Sequence, residues 1–146
     1  SGTMVKWVDD LADASTSTSA GVSIKTKDYD FVQPAQRKKV YRVRISYKGN
    51  GTQLTTKYSV NGDTDTFYDF EGTNSDGSPT GSTDTTPLLD KSGDVTVWHH
   101  AELKPDTSSE ANNIYSFQLH MYSSGSVSSD FEINDISIVY RLKNVK

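Results

Sequence analysis

From 39 to 48 the chain alternates without a break. Tyr41, Val43, Ile45 and Tyr47 fall on one side, and Val40, Arg42, Arg44, Ser46 and Lys48 fall on the other. Successive side chains of a strand point to opposite faces, so this predicts a strand with one buried and one wet face. After Gly49-Asn50-Gly51 a second run places Leu54, Thr56, Tyr58 and Val60 on one face, with Thr55, Lys57 and Ser59 on the other. Two alternating runs around a glycine-rich turn predict a β-hairpin. Asn61-Gly62 is the next turn signal.

The rest of the chain reads in the same period. Val22 and Ile24 alternate with Ser23 and Lys25, and Tyr29 and Phe31 continue in opposite parity, which predicts a bulge or bend near Lys27-Asp28. Thr66 to Phe70 forms a short strand, and Gly72 to Pro87 collects Gly, Ser, Thr, Asp and Pro into a long loop. Val95, Val97, Ala101 and Leu103 resume alternation up to Lys104-Pro105, and Thr107 to Asn113 is a polar connector with room for one helical turn. Tyr115, Phe117, Leu119 and Met121 face inward. In the last strand Phe131 and Ile133 have odd parity and Ile136, Ile138, Tyr140 and Leu142 even parity, which predicts a bulge at Asn134-Asp135. The expected core includes Tyr41, Val43, Ile45, Tyr58, Val60, Phe117, Leu119, Ile136 and Ile138.

Seven or eight short strands with no helix long enough for a parallel crossover imply an all-β fold. The expected form is an antiparallel two-sheet β-sandwich, a jelly roll, covering 22–146. An immunoglobulin-like sandwich is the alternative, but its Cys-Trp-Cys landmark is missing. Residues 1–21 stand apart. Ser1-Gly2-Thr3-Met4 reads as a scar of tag cleavage, Val5, Val8 and Leu11 are spaced for a short helix, and 15–21 reads as a hydroxyl-rich linker.

Composition narrows the function. The 146 residues are 33% hydrophobic, and 19 acidic against 15 basic residues give a net charge of -4, which argues against nucleic acid as a partner. No apolar run is long enough to insert into a membrane. Without cysteine there is no thiolate zinc site and no thiol nucleophile. His99 and His100 are strand neighbours that point apart, and His120 is distant in sequence. Neither a transition-metal site nor a catalytic histidine follows.

Two surface chemistries remain. Asp63, Asp65, Asp69, Glu71 and Asp76, with Asn61 and Asn74, concentrate oxygen ligands of the kind calcium takes, but not in the spacing of a twelve-residue calcium loop. A solvated acidic loop is the plainer reading. Trp98, Tyr68 and Tyr122 are the aromatics least committed to the inward pattern and are the candidates for stacking on a sugar ring. Arg42, Arg44, Lys48 and Lys57, preceded by Arg37-Lys38-Lys39, form a basic stripe that would suit an acidic partner or simply keep a sheet face soluble.

Three segments carry a resemblance. Thr26-Lys27-Asp28-Tyr29-Asp30-Phe31 with Arg37-Lys38-Lys39-Val40-Tyr41-Arg42-Val43 resembles the start of a β-sandwich domain of large virion structural proteins of tailed bacteriophages. Ala101-Glu102-Leu103-Lys104-Pro105 with Ser108 to Leu119 resembles its middle, and Asp130 to Arg141 its closing strand. The closing strand is also similar to that of galactose-binding-like jelly rolls. The resemblance implies a non-catalytic structural or interaction domain of a virion, in the tail or neck, as in nozzle or stabilisation proteins. Its partners would be other virion proteins, and no cofactor is implied. A carbohydrate-binding jelly-roll module for host-surface attachment is the second expectation, and an enzyme the third. Recognition is expected on the loops of 62–87 or on the basic face of the expected hairpin.

Overall fold

A computed structural model describes residues 22–51, 54–73, 96–123, 127 and 130–143. Among them every regular element is a strand: β1 (Ser23–Lys25), β2 (Lys38–Lys48), β3 (Leu54–Val60), β4 (Tyr68–Thr73), β5 (His99–Pro105), β6 (Asn112–Ile114), β7 (Phe117–Ser123) and β8 (Glu132–Leu142). The strands follow one antiparallel path, β1-β7-β3-β4-β5-β2, with β6 and β8 also paired to β2. β4 joins its two halves: Asp69 and Tyr68 pair with β3, and 70–73 pair with β5. The all-β antiparallel class expected from the alternation is therefore what the chain adopts. The polar connector read at 107–113, with room for one helical turn, forms a turn over 108–111 that leads into β6.

Alternation builds the core from both halves of the path. Val43, Ile45 and Tyr47 of β2, Leu54, Tyr58 and Val60 of β3, Ala101 and Leu103 of β5, and Phe117, Leu119 and Met121 of β7 are all buried in one apolar cluster. Tyr58 lies at its aromatic centre, with ring centroids 4.9 Å from Phe70 and 5.2 Å from Phe117.

Four expectations need correction. The 39–48 and 54–60 strands do not form a hairpin: β2 pairs with β5, β6 and β8, whereas β3 pairs with β4 and β7. Gly49, with φ 80°, starts a crossing between the halves of the sheet instead. A glycine-rich turn lets the backbone reverse, but partner choice follows from which apolar face each strand must cover. Tyr41 is 37% exposed rather than buried, because the β2–β8 register slips between Val40 and Arg42 and leaves Tyr41 as the extra residue. Tyr115 is 40% exposed because it lies in the bend between β6 and β7, outside the inward row. Ile136 and Ile138 are only partly buried against the core, since among the described residues β8 pairs with β2 alone.

Both bulges expected from the changes of parity are present. Ser46 pairs with Asp135 and Tyr47 with Ile133, so Asn134 is the extra residue. Between the Lys25–His120 pair and the Tyr29–Phe117 bridge, one strand advances four residues against three, which places the irregularity across 26–28. Asn61 and Gly62 turn with φ 58° and 73°. Residues 1–21 and most of the 72–87 loop lie outside the described residues.

Lys38 shows what alternation cannot reveal. It is wholly buried, and its ammonium donates to the backbone carbonyls of Gln33, Gln36 and Tyr115. Burial pulls its pKa down, and Asp30 opposes that pull. The side chain ties the 31–36 loop to the β6–β7 bend, so it is no part of a basic surface stripe.

Tyr58 yields a prediction about pH. Its hydroxyl is buried with no hydrogen-bond partner among the described residues. Burial first, then the negative charge of Glu110 and neighbouring acids, pushes its pKa well up. A folded pKa above the unfolded one contributes stability that is complete below the unfolded value of about 10 and is lost as pH rises beyond it. The melting temperature is therefore expected to fall steeply above about pH 10, and Tyr58→Phe to soften that fall. At pH 7 this variant should change stability by no more than about 1 kcal/mol, because no made hydrogen bond is lost. An alkaline limb identical in both proteins would refute the assignment to Tyr58.

Candidate functional site

The strand registers assemble a polar and aromatic row on the outer surface of the β1-β7-β3-β4 half. Lys25 of β1 pairs with His120 of β7, His120 with Lys57 of β3, and Lys57 with Asp69 of β4. Leu119, Met121, Thr56 and Tyr58 are buried, so period two sends this row to the other face. The 61–67 turn then folds against it. Asp63 accepts hydrogen bonds at Oδ1 from the backbone N–H groups of Asp65 (2.8 Å) and Thr66 (3.0 Å). Those bonds and one from the Thr66 side chain hold its carboxyl below the usual range. The capped turn delivers Phe67, whose ring centroid lies 5.1 Å from that of His120 and 5.1 Å from the Lys25 ammonium. Tyr122 continues the aromatic line at 5.1 Å from His120.

Lys57, Asp65, Phe67, His120 and Tyr122 line a recess of about 390 Å³. Within it His120 places Nε2 3.4 Å from Ser23 Oγ, while Nδ1 is buried without a partner among the described residues. Burial, and then the charge of Lys25, lowers the His120 pKa and favours the neutral ring at pH 7. Neutral imidazole can donate or accept, ring faces can cover sugar C–H groups, and Asp65 and Lys57 flank them with an acceptor and a donor. Lys57 also pairs with Asp69 at 2.7 Å.

The three aromatic candidates do not converge. Tyr122 lines the recess. Tyr68 instead packs 5.4 Å from the Tyr58 ring beside the core. Trp98 is 46% exposed at the head of β5, with the Lys48 ammonium 5.4 Å from its ring. Phe67 and His120, which complete the recess, were missed by sequence reasoning. Phe67 falls in the expected 66–70 strand, whose Phe67, Tyr68 and Phe70 give no period-two signal, and the structure leaves it just ahead of β4. His120 is marked only by its place opposite Leu119 and Met121 in an alternating strand.

The acidic candidates are similarly dispersed. Asp63 caps its turn, Asp69 is paired to Lys57, and Glu71 stands opposite Lys104 in the β4–β5 register. Asp65 lines the recess, and Asp76 lies outside the described residues. Among the described residues no group of three or more acidic or histidine side chains is gathered to hold a metal. His99 is half-buried and His100 exposed, as neighbours on opposite strand faces should be.

The basic stripe is largely matched by acids. Arg42 and Arg44 share Glu102 at 2.7 and 3.2 Å, and Lys48 meets Glu132 at 2.9 Å. Burial raises the Glu102 carboxyl, but the hydrogen bonds and charges of Arg42 and Arg44 outweigh it and bring the pKa below its ordinary value. Exposed pairs of this kind each contribute roughly 0–1 kcal/mol, so their main effect is on strand register and solubility. No protein-family model matches the chain, and neither curated proteins nor solved structures give a significant match.

Proposed function

We propose that this chain is a non-catalytic structural and interaction domain of a tailed-bacteriophage tail or neck protein, acting by surface recognition alongside other virion proteins. The observation that supports recognition is the recess: Phe67, His120 and Tyr122 stand in line on a paired-strand frame and are flanked by Lys57 and Asp65. The virion setting draws on the resemblance of the three segments. The sheet, whose halves are joined by β4 and share one core, is read as a two-layer jelly roll.

A carbohydrate-binding module for host-surface attachment is the second reading, favoured by aromatic rings adjoining a carboxylate and an ammonium. A glycan array probed with the wild-type domain tests it. The expected result is binding that falls at least about tenfold, or 1.4 kcal/mol, in Tyr122→Ala and Phe67→Ala and persists in Trp98→Ala. Retained binding in the recess variants, with loss in Trp98→Ala, would move the site to the head of β5. Absence of glycan binding would reject the second reading. The leading proposal is tested by particle assembly, where loss of incorporation in the recess variants is expected and normal assembly would count against it.

A further inference from the structure

The last strand is long, and one of its sides is open. β8 spans 11 residues and pairs with β2 over almost its whole length, and among the described residues no strand pairs its other edge. Free N–H and C=O groups along such an edge are a template for another strand. Beyond the Asn134 bulge the edge is regular. Ile136, Ile138, Tyr140 and Leu142 follow the inner parity, and Asp135, Ser137, Val139 and Arg141 the outer one. The inner row is incompletely covered: Ile136 and Ile138 are half-buried and Tyr140 is 39% exposed. Arg141 is exposed and makes no ion pair among the described residues, and Asp135 is exposed and touches Ser137 Oγ at 2.7 Å.

We propose that β8 pairs antiparallel with β8 of a second copy of this chain, centred on Ile138. That register sets Ile136 opposite Tyr140 and Asp135 opposite Arg141, and the two-fold axis repeats both pairs. Inner rows meet inner rows, because a shift by one residue would exchange the faces. Neighbouring registers are worse. Centring on Ser137 sets Asp135 against Val139 and leaves Arg141 facing Ile133. Centring on Val139 sets Asp135 against Lys143, whose ammonium is already held by Asn113 Oδ1 at 2.7 Å. Opposite charges directly across a strand pair favour it and like charges oppose it, so the same two residues select the partner and the register.

Sedimentation equilibrium of the wild-type chain over a rising concentration series, at low salt, is the test. Reversible dimerisation is expected, weakened at least about tenfold by Asp135→Arg or Arg141→Asp and recovered in the double swap. Melting temperatures of the dilute monomers check that each variant still folds. Register is read independently by cross-linking. The chain has no cysteine of its own, and an equimolar mixture of Ser137→Cys and Val139→Cys chains should form disulfides faster than either chain alone, since those positions face each other across the pair. A wild-type chain that stays monomeric at every concentration, a dimer indifferent to both single swaps, or a mixture no faster than its components would each overturn the proposal.

Discussion

Gly49→Ala is expected to cost about 3 kcal/mol or more, a loss of the size produced by backbone strain combined with a clash in a packed site. Gly49 has φ 80°, where a side chain costs roughly 1–2 kcal/mol. A methyl group there would also overlap the Asp130 carbonyl oxygen and lie 2.5 Å from its carbon and 2.8 Å from the Phe131 Cα. These are backbone atoms just ahead of β8 and cannot rotate away. Gly62→Ala is the control. Gly62 has φ 73°, but the nearest atom to an added methyl would be Asp28 Oδ2 at 3.6 Å, so only the same conformational cost of roughly 1–2 kcal/mol applies. Urea midpoints of the two variants separate the terms. Equal losses would show that the close approach of 49 to 130–131 contributes nothing.

Ile45→Ala and Leu119→Ala are each expected to lower stability by about 2–5 kcal/mol. Ile45 is fully buried and Leu119 1% exposed, and they belong to strands in different halves of the sheet that share one core. Neither cavity can be refilled cheaply, because each residue is flanked along its strand by other buried side chains, Val43 and Tyr47 or Phe117 and Met121. Tyr41→Ala tests the bulge from the other side. Tyr41 is 37% exposed, and its ring lies over the Lys39 ammonium at 5.3 Å, so the loss should stay below about 1 kcal/mol. Midpoints from chemical denaturation give all three values. A Tyr41→Ala loss equal to that of Ile45→Ala would return Tyr41 to the core and remove the register slip.

How much of this was legible in the sequence varied with the range of the interaction concerned. The inward row Phe117, Leu119 and Met121 could be read directly, since period two is a property of the strand itself. The bulge at Asn134 was legible for the same reason, because a change of parity within one strand must be absorbed locally. The bulge at Tyr41 was hidden: the run from 39 to 48 alternates smoothly across it, and only pairing with Tyr140 and Val139 shows that one residue is extra. Of the proposed aromatic site, Tyr122 alone entered the recess, because its neighbours come from strands far away in the chain.

The sequence by itself determined that this chain is an all-β, antiparallel protein, and it determined most of the side chains that are buried. Those properties follow from alternation, turn residues and the lack of helical period, which act over a few residues at a time. Tertiary structure alone decided which strands became neighbours, separating β2 from β3 at Gly49 and joining β2 to β8 and β7 to both β1 and β3. It alone sank Lys38 onto three carbonyls and aligned Lys25, His120, Lys57 and Asp69 across four strands. The physical reason is that a local pattern fixes which face of a strand must be covered, whereas the surface that covers it is chosen by packing, register and charge among segments up to about a hundred residues apart.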